Sequence, residues 1–377
     1  MKKIAIVNRT NLKNYGSVLQ TYALCEAVES LGYTCEIIWE QGGISRNYDF
    51  RVRKILFTGL KLVRHPKLIM STLAGVKYVQ KKVISEKTIE MFDSFVNTYV
   101  KRKFYPVKLM KKTRVGQMYD KFICGSDQVW CTTTTYVDPL MYLRFVPIDK
   151  RVAYAPSLGR DYIPNYNVRQ IRRYINEIPY VSVREDTGQK LIAKLTGKKV
   201  PVVVDPTLLH SVEKWDEIRI DPSENTEYVL CYFLDVPTIE TQDKILKYVQ
   251  HSNKRVVALN SRLEYLETIV PITYPDCGPQ EFIGYISKAC CIITDSYHGM
   301  LFSIIYNKQF WSVEREYGEY DQSSRQHSVL KMLNLEDRYI SKDDRIKEKR
   351  INYEPVKIKL NHEVQKSISY LKMALEE

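Results

Sequence analysis

The sequence predicts an α/β protein built as two similar halves with a cleft between them. A chain of 377 residues is longer than one hydrophobic core usually serves, which favours two domains. The chain opens in strand–loop–helix–strand order, the start of a parallel sheet. The same order begins again near Glu227. We therefore place an N-terminal α/β domain at 1–215, a C-terminal α/β domain at 216–345 and a tail at 346–377.

Apolar runs bounded by turn residues predict the individual elements. The first helix, 17–31, ends at Gly32, and Ser17 is its expected N-cap. The other elements of this half are long helices over 51–100 interrupted at Pro66, strands at 4–8, 34–39, 122–124, 151–155, 180–184 and 201–204, and a polar helix at 166–176. The second half is predicted to hold strands at 228–234, 255–259, 268–270 or close by, and 291–294, helices at 237–251, 279–289 and 300–306, and a last helix at 361–376 that packs back on the first half.

Composition is typical of a globular protein. The hydrophobic fraction is 44% and the charged fraction 27%, both ordinary values, and no apolar run of about 18 residues predicts a transmembrane helix. The apolar stretch after Met1 is too short for a signal peptide. Eight cysteines without C-x-x-C spacing argue against a zinc site or a disulfide framework. We therefore expect a cytoplasmic protein that binds no metal.

Positive charge is concentrated in residues 51–112, a helical insertion in the first half. Sixteen lysines and arginines stand against three acids there, so this segment accounts for the whole formal net charge of +13. Within it, Ile55, Leu56, Leu60 and Val63 share one side of a predicted helix whose other positions are basic. Such a helix can lie on an anionic membrane surface, and a solvated face packed on the first half is the alternative. No nucleic-acid-binding module is recognised.

The string Asp295-Ser296-Tyr297-His298-Gly299 lies between a predicted strand and a predicted helix. It places an acid, a hydroxyl and an imidazole at the carboxyl end of a strand, beside the free N–H groups of a helix start. Parallel sheets bind ligands at this edge, and helix N-termini hold anions. From the residues alone, general acid–base chemistry and a structural role are equal alternatives for His298.

Two other strand ends carry polar residues. Asp127 and Gln128 follow strand 122–124, where the aspartate is either a base or hydroxyl binder, or the N-cap of a turn. Arg184 ends strand 180–184 and either clamps a phosphate or carboxylate or forms an ion pair with neighbouring acids. Both positions lie on the rim of the predicted cleft.

Four further residues are candidates with simpler structural alternatives. Asn14 and Gly16 precede a helix, where an anion can bind. Glu281 opens helix 279–289 and suits either a helix start or a ligand hydroxyl. Arg325 lies in a polar loop within reach of the cleft, whereas the string at 205–207 is interpreted as a turn fixed by proline.

Taken in order, these strings resemble the polysaccharide pyruvyl transferase family. The shared pieces, spread over about residues 4 to 340, are Asn14-Tyr15-Gly16 with Leu19-Gln20 and Ala23-Leu24, Gly125–Trp130, Ser182–Asp186, Asp205-Pro206-Thr207, Thr294–Gly299, and Ser324-Arg325 with Leu335–Arg338. The resemblance implies two Rossmann-like domains in a GT-B-like arrangement with the active site between them. The chain departs from several family members at Ser296, where they carry arginine in an Arg-Leu-His string.

The resemblance also implies a reaction and a set of site residues. Phosphoenolpyruvate would donate its pyruvyl unit to hydroxyls of a cell-envelope or exopolysaccharide sugar precursor, with release of phosphate and without a further cofactor. His298 would protonate the enol methylene, and Asp127 or Asp295 would deprotonate the sugar hydroxyl. The predicted substrate-binding residues are Arg184, Arg325, Ser296, Gly299, Asn14, Gly16, Gln128 and Glu281.

Two other functions remain open at this point. One is a GT-B-like glycosyltransferase that uses a nucleotide sugar. The other is a non-catalytic, membrane-associated protein of glycan assembly. A lipid-linked glycan acceptor would make peripheral attachment of segment 51–112 to the inner face of the cell membrane useful.

Overall fold

The computed structural model describes residues 1–8, 13–40, 56, 58–64, 84–105, 114–223, 226–252, 254–315, 323–341, 344–346 and 349–377. The predicted helix break at Pro66 lies outside these residues, as does much of the basic segment 51–112.

The first half is built on a parallel six-stranded sheet. Its strands are β1 (Lys3–Val7), β2 (Thr34–Glu40), β3 (Arg102–Tyr105), β4 (Lys121–Cys124), β5 (Arg151–Ala153) and β6 (Tyr180–Val181). They lie in the order β3-β2-β1-β4-β5-β6, and every neighbouring pair is parallel. This is the strand order of a Rossmann fold.

The second half repeats that topology. Its strands are β7 (Tyr228–Tyr232), β8 (Arg255–Leu259), β9 (Ile272–Thr273), β10 (Cys291–Thr294), β11 (Gln309–Val313) and β12 (Tyr339–Ile340). The order β12-β11-β10-β7-β8-β9 is again wholly parallel, and it matches the first sheet when counted from its own first strand. The predicted fold class of two Rossmann-like α/β halves is therefore confirmed.

Helices connect the strands on both faces of each sheet. They are α1 (Tyr15–Ser30), α2 (Glu86–Tyr99), α3 (Asn165–Asn176), α4 (Asp186–Thr196), α5 (Val212–Asp216), α6 (Ile239–Ser252), α7 (Glu264–Glu267), α8 (Pro279–Lys288), α9 (Tyr297–Ile305), α10 (Ser324–Leu333) and α11 (Tyr353–Glu376). The predicted N-cap of α1 is wrong. Asn14, not Ser17, is the cap, because its side chain accepts a hydrogen bond of 3.0 Å from the Ser17 N–H.

One predicted strand is displaced and another is wrong. The strand predicted at or close to 268–270 is β9, at Ile272–Thr273, because the N–H groups of Thr268 and Val270 donate back to carbonyls of α7 and cannot join a ladder. At 201–204, only a single bridge forms, between Val202 and Val183, and the Val204 N–H donates instead to Ser367 in α11 at 2.9 Å. The first sheet therefore ends at β6.

The two halves share one apolar core. Buried side chains of α1 and α2 in the first half join those of α8 and α9 in the second in a single cluster. At its centre Tyr15 stacks on Phe282, with ring centroids 4.5 Å apart and planes 5° from parallel. The Tyr15 hydroxyl donates to the Cys277 carbonyl at 2.9 Å. Burial of this kind fixes the relative position of the two carboxyl-end edges.

Helix α11 contacts both halves. Besides the bond to Val204, the Tyr370 hydroxyl donates to the Ala153 carbonyl in β5 at 3.3 Å. At the other end of the helix, the Tyr353 hydroxyl donates to the Ser303 carbonyl in α9 at 3.4 Å. The proposed boundaries at 215 and 345 stay predictions.

The described part of the basic segment is helical at 58–64. Lys61 donates to Asn167 in α3 at 2.6 Å, while Leu56, Leu60 and Val63 are 59%, 54% and 80% exposed. Among the described residues, no helix combines the length and apolar character needed to cross a bilayer. Membrane binding through this segment stays a prediction.

Candidate active site

Two of the predicted motifs lie where the strand order of each sheet reverses. In the first sheet β1 and β4 are neighbours, and in the second β7 and β10 are neighbours. Connections leave such a pair in opposite directions, which opens a crevice at the carboxyl ends of the strands. The string at 125–128 follows β4, and the string at 295–299 follows β10. Each half thus presents one of the predicted motifs at its own crevice.

Arg184 is the centre of a buried charge cluster. Its fully buried side chain lies 2.7 Å from Asp205 Oδ2, 3.3 Å from Asp127 Oδ1 and, through Nε, 3.8 Å from Glu185 Oε2. Ser126 adds a hydrogen bond of 3.1 Å to Asp205. One guanidinium therefore faces three carboxylates in a site where Coulomb interactions are weakly screened.

These contacts decide the charge states of the cluster. Burial on its own would raise the pKa of Asp205, but His298 and Arg184 hold that pKa well below its ordinary value. The pKa of Asp127 is lowered for the same reason, against burial, mainly by Arg184 and His298. Burial would lower the pKa of Arg184, yet the neighbouring Tyr297 and acids raise it. Both aspartates are therefore carboxylates and Arg184 is a cation at neutral pH.

His298 belongs to the second half but reaches this cluster. It lies in the first turn of α9, is 6% exposed, and its Nε2 is 3.6 Å from Asp205 Oδ2. Nε2 has no hydrogen-bond partner within the described residues. On the other side, a Cβ built on Gly16 would lie 2.0 Å from His298 Nδ1. The imidazole therefore fills space that exists only because residue 16 has no side chain.

Tyr297 joins two arginines from different elements. Its ring centroid lies 4.6 Å from the Arg184 guanidinium and 5.5 Å from that of Arg325 in α10, both within the range of cation–π contact. Arg325 is 7% exposed, and its Nε has no partner among the residues described. Burial, and then repulsion from Arg184, lower the pKa of Arg325 to about 10. An anion placed here would relieve a poorly paired buried cation.

Asp295 has a different setting from Asp127. Its carboxylate is 4% exposed and accepts main-chain N–H bonds from Leu234 at 2.7 Å and Asp235 at 3.1 Å, just beyond β7. Burial raises its pKa to about 7, opposed by Arg315. Asp295 thereby ties the loop after β10 to the loop after β7.

A family model described as "Polysaccharide pyruvyl transferase" matches residues 14–317. The chain belongs to this family. The matched range contains every motif named above except Arg325, which lies eight residues beyond its end.

Comparison with solved structures finds matches of low sequence identity. A UDP-GlcNAc 2-epimerase from Neisseria meningitidis bound to UDP-GlcNAc is 12% identical, with a TM-score of 0.48 over 99% of this chain and 94% of that one. A putative UDP-N-acetylglucosamine 2-epimerase from Listeria monocytogenes is 10% identical, with a TM-score of 0.49 over 99% and 91%. MurG from Acinetobacter baumannii is 10% identical, with a TM-score of 0.43 over 100% and 94%. Among curated protein sequences no match was found.

The remaining predicted site residues of this pyruvyl transferase family member serve the local structure. The Ser296 hydroxyl caps α9 by accepting the Gly299 N–H at 3.3 Å. Gly299 in turn lets α9 approach its sheet, since a Cβ there would lie 2.6 Å from Thr294 Oγ1. Asn14 caps α1. Their predicted roles in substrate binding stay predictions.

Of two other predicted residues, Glu281 lies away from the charge cluster, whereas Gln128 is next to Asp127 and its main-chain N–H bonds to the Asp127 carboxylate. Glu281 accepts the Gly278 N–H at 3.1 Å and so caps the start of α8. Gln128 packs against Gly159, where a Cβ would lie 2.6 Å from its Nε2. The structure therefore brings together Asp127, Arg184, His298, Arg325 and Gly16, with the main chain of Gln128 at the edge of the cluster. The other predicted residues have separate surroundings.

Sequence reasoning missed Ser126 and Tyr297 as members of the cluster, and it named Glu185 only as an alternative ion-pair partner of Arg184. Asp205 was interpreted mainly as a turn residue, with a direct chemical role as the minor alternative, and in the structure its side chain does accept the Thr207 N–H at 3.1 Å through Oδ1. Its other oxygen contacts Arg184 and His298. The sequence signal that indicates a site role for Asp205 is its position. It directly follows the valine run 202–204, just as other site residues directly follow predicted strands. No group of three or more metal-binding side chains is found in the described ranges.

Proposed function

We propose that this family member transfers the pyruvyl unit of phosphoenolpyruvate to the hydroxyls of a sugar precursor of the cell envelope or an exopolysaccharide. Family membership implies a pyruvyl donor and a sugar acceptor. The observation that carries the finer assignment is a pair of buried nitrogens without hydrogen-bond partners among the described residues, Arg325 Nε and His298 Nε2. Both belong to residues in direct contact with the Arg184 cluster. Phosphoenolpyruvate requires a cation to bind its anionic groups and an acid to protonate its methylene carbon.

Arg184 and Arg325 bind the donor in the proposed reaction. Phosphoenolpyruvate carries a phosphate and a carboxylate, and guanidinium groups bind both through paired N–H donors. Arg184 is already opposite three acids, whereas Arg325 is poorly paired. Arg325 thus supplies the positive charge that family members with arginine in place of Ser296 carry on α9.

His298 is the acid of the proposed reaction. Its proton passes to the methylene carbon of the enol, which becomes a methyl group and leaves a cationic carbon between the carboxylate and the phosphate oxygen. The carboxylate of Asp205, 3.6 Å from Nε2, balances the charge of the protonated ring. Burial of the ring keeps bulk water from competing for the cationic carbon.

A sugar hydroxyl then attacks that carbon and loses its proton to a carboxylate. Asp127 is the better placed base, because its side chain is 25% exposed, whereas both oxygens of Asp295 already accept main-chain N–H bonds. A second hydroxyl of the same sugar then displaces phosphate: the bond from the carbon to the phosphate oxygen breaks, the proton of the second hydroxyl leaves with the phosphate, and a cyclic ketal results. The proton taken up by Asp127 returns to His298, which restores the acid. Asp127 has φ of 77°, a backbone conformation that non-glycine residues keep only where surroundings enforce it.

The experiment incubates the purified protein with phosphoenolpyruvate and a panel of p-nitrophenyl glycosides of common hexoses, N-acetylhexosamines and their β-linked di- and trisaccharides. Phosphate release and the mass of the glycoside are measured for the wild type, His298→Asn and the control His362→Asn, which alters an exposed histidine of α11. Loss of an acid should lower the rate about 100- to 10,000-fold, and the control should match the wild type.

Three results would contradict the proposal. Phosphate release that does not depend on His298 would show that His298 is not the acid of the reaction. Release of a nucleoside diphosphate from a sugar nucleotide would favour the glycosyltransferase alternative. No turnover with any donor would favour the non-catalytic alternative.

A further inference from the structure

A second pocket lies on the same carboxyl-end edge as the charge cluster, at β8 and β9. We call it the Tyr274 pocket; it has a volume of about 270 Å³ and is lined by Asn260, Arg262, Tyr274 and Asp276 of the second half and by Ser85 and Thr88 of the first. The last two lie at the start of α2. Pockets formed at strand ends between two domains are common ligand sites in α/β proteins.

The aromatic ring in this pocket is exposed and held in place. Tyr274 is 39% exposed. Its hydroxyl donates to Glu267 at 2.8 Å and accepts the Leu263 N–H at 3.0 Å, and the Arg262 guanidinium lies 5.8 Å from the ring centroid. A tyrosine fixed by its hydroxyl presents its ring at little entropic cost on binding. Such rings stack on the C–H faces of sugars and on other flat apolar groups.

Polar groups that suit hydroxyls surround the ring. The Asn260 amide donates to the Phe233 carbonyl at 2.7 Å, and φ of 71° at this residue fixes the loop after β8 in a left-handed turn. Asp276 accepts from Ser85 at 2.5 Å and pairs with Lys87 at 3.6 Å. Amide and carboxylate oxygens accept hydrogen bonds from sugar hydroxyls.

The charge balance favours a neutral ligand. Arg262 is paired with Glu267 at 3.0 Å, and Lys87 is paired with Asp276. A nucleotide needs positive charge or helix N–H groups for its phosphates. The cations around the Tyr274 pocket already face carboxylates, so a ring that offers only hydroxyls fits it better than a phosphorylated one.

The pocket is connected to the charge cluster through packed residues. Cys277 follows Asp276, and its carbonyl accepts the Tyr15 hydroxyl; Gly16, next in the chain, contacts His298. In the sheet, β8 and β9 lie two and three strands from β10, which at a spacing of about 4.8 Å puts their ends roughly 10 and 14 Å from the end of β10. This separation exceeds the length of one sugar ring, so a single ring cannot occupy both places.

We propose that the Tyr274 pocket binds a sugar ring of the acceptor other than the ring that receives the pyruvyl unit. The acceptor is then an oligosaccharide or a longer glycan, and a monosaccharide occupies only part of the site. This inference rests on the proposed function for the identity of the acceptor. The binding itself is measured without phosphoenolpyruvate, so the two proposals fail separately.

The test measures binding of sugars to the full chain by saturation-transfer NMR and calorimetry. The probes are methyl glycosides of glucose, galactose, mannose and N-acetylglucosamine and their β-linked di- and trisaccharides. At least one oligosaccharide should bind at least about tenfold more tightly than its methyl glycoside, which corresponds to about 1.4 kcal/mol of binding free energy. Tyr274→Ala should abolish that difference, and Phe104→Ala, which removes an exposed ring from the edge strand β3, should preserve it.

A second variant keeps the proposal testable if Tyr274→Ala fails to fold. Asn260→Gly removes the amide at a backbone conformation that glycine adopts freely, so the fold should persist while oligosaccharide binding weakens. The proposal is overturned if no oligosaccharide in the panel binds better than its methyl glycoside. It is also overturned if both variants bind oligosaccharides like the wild type, or if uridine or adenosine nucleotides compete for the pocket. Phosphoenolpyruvate turnover that fails while oligosaccharide binding persists would overturn the donor assignment alone.

Discussion

Substitution of Gly16 by alanine tests whether the position of His298 governs the reaction. The added Cβ would lie 2.0 Å from His298 Nδ1, whereas ordinary contacts of a Cβ begin near 3.4 Å. The imidazole must therefore move by about 1.4 Å, since the helix backbone around residue 16 is packed in the core. A displacement of about 1 Å at a reacting group can cost about 100-fold in rate. We expect kcat/KM for phosphate release to fall about 100-fold, or about 2.7 kcal/mol in transition-state stabilisation.

The assay compares Gly16→Ala with Gly59→Ala, a helical glycine whose added Cβ would meet nothing within 4 Å. In a helix, alanine is favoured over glycine by about 1 kcal/mol, so the control should retain activity and full stability. Melting curves recorded beside the kinetics separate a displaced histidine from an unfolded protein. A Gly16→Ala protein that releases phosphate within twofold of the wild-type rate would refute the reasoning.

Three further predictions concern charge. Asp205→Asn should cost about 3–5 kcal/mol in the free energy of unfolding, because it removes the closest partner of a buried guanidinium; Asp221→Asn, in an exposed pair, should cost less than about 1 kcal/mol, and equal losses would contradict this. Burial raises the pKa of Asp295 to about 7 from 3.8, so its contribution to stability is complete below pH 3.8 and is lost as the pH rises to 7, at up to about 1.4 kcal/mol per pH unit. Asp295→Asn should abolish this pH dependence of the free energy of unfolding, measured by denaturant titrations at several pH values. An unchanged pH dependence would assign it to another group. Arg325→Met should weaken binding of phosphoenolpyruvate about 10- to 100-fold by calorimetry, the effect of one charged hydrogen bond, with Arg325→Lys between the two; undiminished binding to the methionine variant would exclude Arg325 from the donor site.

The α/β alternation and the polar strand ends could be predicted because both are local. The runs at 4–8, 34–39 and 291–294 carry their β preference in their own residues, and the structure has strands there. The strand at 272–273 was misplaced by a few residues because the chain before it closes a helical turn. Short edge strands such as β3 and β12 have little apolar pattern of their own. They form because the main-chain N–H and C=O groups of a neighbouring strand hydrogen-bond to them.

Several members of the site could not be predicted because their roles depend on distant residues. Asp205 meets Ser126 across 79 positions of sequence, and Gly16 is required by His298, which belongs to the other half of the molecule. From the sequence, Gly16 was interpreted as an anion-binding loop glycine, since nothing local shows what packs against it. Tyr297 likewise resembles an ordinary core aromatic until two arginines are found over its ring.

The contacts of Arg184 with Tyr297 and of Asp205 with His298 run from one half to the other. A donor bound between the two arginines would add a third connection across the same boundary. Because such a ligand binds only when both halves are folded and joined, mass action couples their unfolding. At a concentration of 100 times its Kd it would add about 2.7 kcal/mol to the joined state. Heating the complex should therefore melt both halves in one transition at a higher temperature, so that the donor acts as a reversible cross-link.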